Sequence, residues 1–193
     1  LLVSKCHQTE WTIRIEKGEC MKKFIGIDIG GSFIKYGTLD DNGNLLHKDN
    51  TPTTRNDPEQ VLEKLTAIIL EESKGQVIAG VSISTPGVVD LNNKLLTSGA
   101  IKGLFKYDVQ AILSEKTGLK IKLVNDAKSI GYAEGWLGAG ANCENFVCLP
   151  LGTGVGGSIV LDGKMRQGRT GAAGEFGMML MGLGKAEPIG YES

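Results

Sequence analysis

Two glycine-rich turns carry the residues best suited to bind a phosphate group. Each turn follows an apolar run, and the residues concerned are Asp28, Gly30, Gly31 and Ser32 in the first turn and Gly152, Thr153 and Gly154 in the second. Residues without a Cβ let backbone N–H groups approach an anion closely, which phosphate sites require. Neither turn has the spacing of a Walker loop or of GxGxxG. The pair predicts a cleft that grips one polyphosphate from both sides, and two unrelated hairpin turns are the alternative.

The carboxylate of Asp28, at the end of the first apolar run, is the candidate metal ligand. A carboxylate in this position repels phosphate, but it could hold Mg²⁺ between itself and the phosphates, usually through water. The alternative is an aspartate that only caps the turn.

Three polar residues further along the chain could act on a substrate hydroxyl. Asn125 and Asp126 stand where an apolar run gives way to a helical pattern, and ligands collect at the carboxyl ends of strands in open α/β sheets. Asp126 could accept the proton of a hydroxyl that attacks phosphorus, or it could be a helix N-cap. Asn125 has the donor and the acceptor needed to sort sugar hydroxyls. Glu175, within the small-residue segment 168–177, could accept hydrogen bonds from paired hydroxyls or lie in a surface loop.

The elements that must position these residues alternate along the chain. Patterning predicts strands over 24–29, 32–39, 45–51, 77–84, 119–124, 146–151 and 155–161, and helices from Asp57-Pro58 to Gly75, over 108–117 and over 127–136. Hairpins followed by strand–helix alternation indicate an α/β fold with a mixed sheet. The repeated strand–turn–strand unit predicts two lobes, 21–123 and 124–193. Residues 1–20 are interpreted as an extension foreign to the fold, and a real strand over 11–15 is the alternative.

Composition limits the classes of partner. The 193 residues are 41% hydrophobic and 22% charged with a net charge of −1, which gives no electrostatic case for nucleic acid or an anionic membrane. No apolar run approaches the roughly 20 residues of a membrane span. The cysteines show no CxxC spacing and stand at Cys6, Cys20, Cys143 and Cys148. With only two histidines in the chain, we expect no zinc site and a reduced, cytoplasmic setting.

Four motifs resemble the ROK (repressor, open reading frame, kinase) family in identity and order. They are residues 28–32, 124–127, 151–157 and 173–177, within a resemblance that extends from Lys23 to about Met181. The family contains ATP-dependent bacterial sugar kinases and related repressors. The resemblance therefore implies the actin/hexokinase superfamily, with ribonuclease H-like lobes, and a kinase that phosphorylates a hexose such as glucose.

The same resemblance implies a role for each candidate residue. Asp28 and the first turn would serve Mg²⁺ and phosphate, and Gly152 to Gly154 would grip phosphate from the other lobe. Asn125, Asp126 and Glu175 would bind the sugar, with Asp126 as the base. The implied partners are ATP, Mg²⁺ and the sugar, with a homodimer for the full-length protein and neither nucleic acid nor membrane.

The sequence departs from the family pattern in two ways. Met178 stands where many family kinases have a histidine followed by a Cys-rich zinc motif, which resembles the zinc-free branch. The chain also stops at Ser193, so we expect an incomplete second lobe with apolar surface exposed around 146–151 and 178–183. A sugar-sensing repressor relative is one alternative, although the first twenty residues show no helical pattern for a helix-turn-helix. A catalytically inactive fragment is the other.

Overall fold

A computed structural model describes residues 21–152 and 154–179 of the chain. The chain forms two compact units that meet at the Asn125–Asp126 peptide, and each is described by itself. The alternative strand over 11–15 and the candidate site residue Thr153 lie outside the described residues. The two-domain assignment with its boundary at 123/124 stays a prediction.

The first unit is built on a five-stranded sheet. Its strands are β1 Lys23–Ile29, β2 Phe33–Asp40, β3 Leu45–Pro52, β4 Ile78–Thr85 and β5 Ile121–Asn125, arranged in the order β3-β2-β1-β4-β5. The hairpin strands β1, β2 and β3 pair antiparallel, whereas β1, β4 and β5 pair parallel. The predicted α/β fold with a mixed sheet is confirmed.

Two helices cover this sheet, α1 Pro58–Glu72 and α2 Val109–Thr117. Asp57 begins α1 by accepting a hydrogen bond from the Gln60 N–H at 2.9 Å, and Asp108 does the same for α2 with Ala111 at 3.1 Å. A short 3₁₀ helix, Leu104–Lys106, precedes α2. The apolar faces of the helices and strands form one core, whose fully buried members include Ile25, Ile83, Leu65, Ile69 and Leu113.

The parallel strands bring three carboxyl ends to the same edge of the sheet. In the strand register Asp28 lies beside Ser84, and Thr85 lies beside Asn125. Two of the candidate residues, Asp28 and Asn125, therefore share the edge where open α/β sheets bind ligands.

The second unit begins with helix α3, Asp126–Leu137, which packs on an antiparallel sheet. The sheet consists of β6 Phe146–Cys148, β7 Ser158–Leu161 and β8 Lys164–Met165 in that order, and a 3₁₀ helix spans Phe176–Met178. Helix and sheet approach closely at Gly131, where a Cβ would lie 2.1 Å from the Ser158 Oγ.

Several predicted boundaries are wrong by a few residues. Strand β4 begins at Ile78, because Val77 is 88% exposed, and β5 runs from Ile121 to Asn125 instead of over 119–124. Strand β6 ends at Cys148 and β7 begins only at Ser158. The intervening turn contains Pro150, which has no N–H for the ladder, and pairs only through one bridge between Leu151 and Val155.

Apolar side chains are exposed where the sequence predicted them in the second unit. The exposed fractions of Val147, Leu149 and Leu151 are 52%, 54% and 80%, and Met178 and Met179 are both more than half exposed. The rest of the predicted 178–183 patch lies outside the described residues. No helix among residues 21–152 and 154–179 is long and apolar enough to cross a membrane.

Candidate active site

Asp28 is fixed by a neighbouring strand. The Ser84 hydroxyl on β4 donates to the Asp28 Oδ1 at 2.8 Å, and the side chain of Asp28 is half-buried at the end of β1. One carboxylate oxygen is thus oriented by the protein. Ser84 was not identified from the sequence, because only the strand register shows that it lies beside Asp28.

The first glycine turn uses one of its amides internally. The Gly30 N–H donates to the Phe33 carbonyl at 3.0 Å, and a Cβ on Gly30 would lie 2.8 Å from that oxygen. Glycine is therefore required here by the turn itself, and the expectation that Gly30 offers a backbone donor to phosphate is not met in this structure. The N–H groups of Gly31 and Ser32 have no acceptor among the residues that the structure describes.

The segment after β3 crosses this turn and satisfies its carbonyl groups. The Thr53 N–H donates to the Ser32 carbonyl at 2.9 Å, and the Thr53 hydroxyl donates to the Gly30 carbonyl at 2.8 Å. The exposed Arg55 side chain donates from Nε to the Gly31 carbonyl and from Nη2 to the Ser32 Oγ at 3.0 Å. A guanidinium group therefore stands at the edge of the turn, where its charge favours an anion. The sequence gave no signal for Arg55, because it lies 23 residues beyond Ser32.

Asn125 is buried and holds the loop that follows β4. Its Nδ2 donates to the Gly87 carbonyl at 2.9 Å, and only 4% of the residue is exposed. Gly87 has φ +97°, and a Cβ there would lie 2.1 Å from the Thr97 carbonyl oxygen, so the loop requires glycine. The amide predicted to sort sugar hydroxyls is thus already engaged on one side by the protein.

Asp126 is exposed and opens helix α3. Its Oδ1 accepts a hydrogen bond from the Ala127 N–H at 2.8 Å, and its backbone carbonyl accepts one from the Ser129 hydroxyl at 2.7 Å. A carboxylate at a helix N-terminus is stabilised in its ionised form by the helix dipole. The position therefore combines the helix-start geometry of the bland alternative with the access that a base requires.

The second glycine turn lies against both α3 and the Glu175 segment. The Gly152 N–H donates to the Gly154 carbonyl, and the Gly156 N–H to the Pro150 carbonyl, both at 3.0 Å. A Cβ on Gly156 would lie 2.8 Å from the Ala127 Cβ, and a Cβ on Gly157 would lie 2.1 Å from the Phe176 ring. The glycines thus let one turn touch the residues that follow Asp126 and Glu175.

Glu175 has its carboxylate only partly buried, with a side chain that is 30% exposed. Burial raises its pKa above the ordinary value, the nearby Lys128 opposes that rise, and Asp126 adds to it. The Lys128 Nζ lies 3.7 Å from the Glu175 Oε1, which is an ion-pair distance. The sequence did not single out Lys128, since a lysine two residues after a helix start is usually exposed.

Each unit thus gathers part of the predicted site. The first unit brings together Asp28, the Gly31–Ser32 amides and Arg55 around one turn. The second unit brings together Asp126, the turn beginning at Gly152, and Glu175. Across the described ranges no group of three or more His, Cys, Asp or Glu side chains is placed to hold a metal ion.

The architecture and these motifs define an ROK protein with a fold of the actin/hexokinase type. The ROK family model matches residues 24–191, so the chain belongs to this family.

Particular relatives are sugar kinases by name. The chain is 33% identical to a beta-glucoside kinase of Listeria monocytogenes, over 81% of this chain and 53% of that protein, and 34% identical to a glucokinase of Thermotoga maritima, over 82% and 51%. A solved ROK family glucokinase from Streptomyces griseus, in complex with glucose and AMPPNP, superposes with a TM-score of 0.75 at 31% identity, over 81% of this chain and 50% of that one. The chain spans about half the length of the curated relatives it matches.

Proposed function

We propose that this chain provides the residues of an ATP-dependent sugar kinase that transfers the γ-phosphoryl group to a hydroxyl of a hexose such as glucose. The relatives named above, two of them glucokinases and one a beta-glucoside kinase, support a sugar as the acceptor. The complex of the Streptomyces glucokinase with AMPPNP supports ATP as the donor. The proposal concerns the whole protein and assigns each step to residues of this chain.

The first unit binds the phosphates in this proposal. The N–H groups of Gly31 and Ser32 donate to phosphate oxygens, and the Arg55 guanidinium adds a positive charge at the edge of the same turn. Because the Gly30 and Gly31 carbonyls are already bonded to Thr53 and Arg55, the turn is held rigid before a ligand arrives. A rigid set of donors stabilises developing charge without reorganising during the reaction.

Asp28 fits a magnesium ion better than any metal that requires a full protein cage. Mg²⁺ keeps several water ligands and is usually bound through one or two carboxylates together with substrate phosphates. Asp28 offers one such carboxylate, with Oδ1 oriented by the Ser84 hydroxyl at 2.8 Å. When bound, the ion would neutralise phosphate charge and help to align the transferred group.

The second unit handles the acceptor hydroxyl and the remaining phosphate contacts. Asp126 accepts the proton of the attacking hydroxyl, while Glu175 accepts hydrogen bonds from other hydroxyls of the same sugar. Asn125, at the end of β5, contributes its remaining polar capacity to the sugar. The backbone of Gly152, Thr153 and Gly154 contacts phosphate.

One observation carries this proposal. The second glycine turn lies between the start of α3 and the Glu175 segment, with glycines at exactly the two points where a Cβ would collide. This packing sets a candidate base and a candidate sugar ligand beside a phosphate-type turn within one unit. No nucleic-acid or membrane function explains that grouping.

The test is the substitution Asp126→Asn in the full-length protein, with Asp108→Asn as the matched control. Both aspartates accept hydrogen bonds from backbone N–H groups at helix starts, but only Asp126 is assigned a chemical role. We expect D126N to lower kcat by roughly 10²–10⁴-fold while D108N retains parental turnover. The assay couples ADP release to a reporter with ATP, Mg²⁺ and a panel of glucose, mannose and a β-glucoside. A D126N kcat within threefold of the parent would reduce Asp126 to a helix cap.

The same assay separates the proposal from its two alternatives. A sugar-sensing relative of the repressor type would bind a hexose in calorimetry without turning over ATP. An inactive fragment would show neither binding nor turnover. Either result would overturn the kinase assignment.

A further inference from the structure

Lys128 is a buried cation whose role the proposed reaction has not yet used. It lies one residue beyond Ala127 in the first turn of α3, and only 3% of it is exposed. An ammonium group buried without compensation is strongly unfavourable, so lysines this deep in a protein are held by specific acceptors. The acceptors of Lys128 therefore indicate what it is for.

Its ammonium group joins α3 to both ends of the segment that carries Glu175. The Lys128 Nζ donates to the Gly171 carbonyl at 2.6 Å and lies 3.7 Å from the Glu175 Oε1. Between these two points the backbone turns through Gly171 and Gly174, both with positive φ. A segment of this kind has little rigidity of its own, because glycine restricts the backbone least.

The Glu175 carboxylate is divided by this contact. Its Oε1 is inaccessible to solvent and has no hydrogen-bond partner among the described residues, so Lys128 is its recorded source of compensation. Yet the side chain as a whole is 30% exposed, which leaves the other oxygen able to reach a ligand. One oxygen faces the lysine and the other is available to hydroxyl groups.

The charges around this pair act in opposite directions. Burial lowers the pKa of Lys128, and Glu175 and Asp126 oppose that change. Burial also raises the pKa of Glu175, Lys128 opposes it, and Asp126 reinforces it. One helical turn further on, the phenol of Tyr132 has a pKa raised by burial, so it stays neutral near pH 7. Two carboxylates and one ammonium group therefore share this part of the second unit.

We propose that Lys128 is a positioning residue that holds Glu175 ionised, with Oε1 turned inward, so that the outward oxygen can accept hydrogen bonds from the sugar. The inference rests on the proposed function only for the identity of the ligand. The lysine does not touch the transferred phosphoryl group, and it acts through Glu175 and the backbone at Gly171.

Three variants of the full-length protein separate charge from packing. Lys128→Gln keeps a donor for the Gly171 carbonyl but removes the charge, Lys128→Met removes both, and Lys128→Arg keeps both. Lys164→Gln, at an exposed position on β8 in the same unit, is the matched control. Circular dichroism melts identify any variant that has lost its fold.

The first readout does not depend on sugar kinase activity. The Glu175 carboxyl carbon, labelled with ¹³C and assigned by its loss in Glu175→Gln, is titrated by NMR. We expect the Glu175 pKa to rise in K128Q and K128M, to stay near the parental value in K128R, and not to change in K164Q. An unchanged Glu175 pKa in a folded K128Q protein would overturn the inference.

The second readout measures sugar binding by calorimetry with glucose as the probe. Loss of one charge-assisted hydrogen bond predicts about tenfold weaker glucose binding by K128Q at pH 6, with partial recovery at pH 8. In a mechanism where Lys128 only packs the core, K128Q and K128M would lose affinity equally at both pH values, and that result would refute the role. If the parent protein itself binds no glucose but the Glu175 pKa still shifts, the proposed substrate is wrong and the positioning role stands.

Discussion

One methyl group placed at Gly152 or at Gly157 should affect quite different properties of the protein. At Gly152 an added Cβ would meet nothing within 4 Å, and the backbone does not adopt the left-handed conformation. At Gly157 it would lie 2.1 Å from the Phe176 Cδ2 and 2.2 Å from the Gly174 carbonyl oxygen. The first position is open space in the protein, whereas the second is a packed contact.

The expected magnitudes follow from these distances. Gly152→Ala should change the free energy of unfolding by no more than about 0.5 kcal/mol, because alanine there strains nothing. Gly157→Ala forces the ring of Phe176 and the backbone of Gly174 to move, and overpacking of this kind costs about 3 kcal/mol. For a protein of this size that corresponds to a decrease in Tm of about 6–12 °C.

The effect on nucleotide binding has the opposite order. If the backbone at Gly152 approaches phosphate, a Cβ in that space should weaken ATP binding about 10- to 100-fold, as expected for one lost hydrogen bond to a charged group. Melting curves measure the stability of both variants, and calorimetry with ATP and Mg²⁺ measures the affinity of G152A. A G152A protein with parental Tm and parental ATP affinity would refute a role for Gly152 in phosphate binding, and a G157A protein with parental Tm would refute the packing.

Two further predictions concern stability alone and can be made on the folded protein without any ligand. Gly131→Ala should destabilise it by about 1–3 kcal/mol although alanine is the better helix former, because the new Cβ would lie 2.1 Å from the Ser158 Oγ; chemical denaturation measures this, and a gain in stability would show that Ser158 moves freely. Thr38→Val should cost about 1–3 kcal/mol, since the buried Thr38 hydroxyl donates at 2.6 Å to the buried Glu72 carboxylate, which also receives His47 at 2.8 Å. The half-buried Thr66→Val, whose hydroxyl bonds only within α1, serves as the control and should change stability little.

Strand and helix identities in the first unit were predictable because local signals agree with tertiary packing there. Asp57 and Asp108 cap helices exactly where their spacing suggests, and the apolar run before Thr85 is a parallel strand paired on both sides. The boundaries near Pro150 were not predictable in the same way. An apolar run continues through that turn, and only the three-dimensional pairing shows that the ladder stops at Cys148.

The candidate site could be predicted for residues whose chemistry is visible in a short motif. Asp28 and Asp126 each follow a strand and precede a turn or a helix, so local patterning is enough to single them out. Arg55 and Lys128 could not be found in this way. Arg55 reaches its turn through a strand pairing over more than twenty residues, and Lys128 is notable only for its burial, which no residue pattern in α3 announces.

The glycines of the two motifs serve two different physical needs, and this limits what a motif match can say about chemistry. Gly30 and Gly157 are required by the fold, because a Cβ at either position would collide with the protein's own backbone. At Gly31 the nearest atoms to a Cβ would be 3.5 Å away, and at Gly152 there are none within 4 Å, so packing does not require glycine at either position. A relative could retain the first pair for its fold alone after losing its activity. The chemistry of this protein is therefore tested most directly at Gly31 and Gly152, where the protein itself leaves room for a side chain and only a ligand would object.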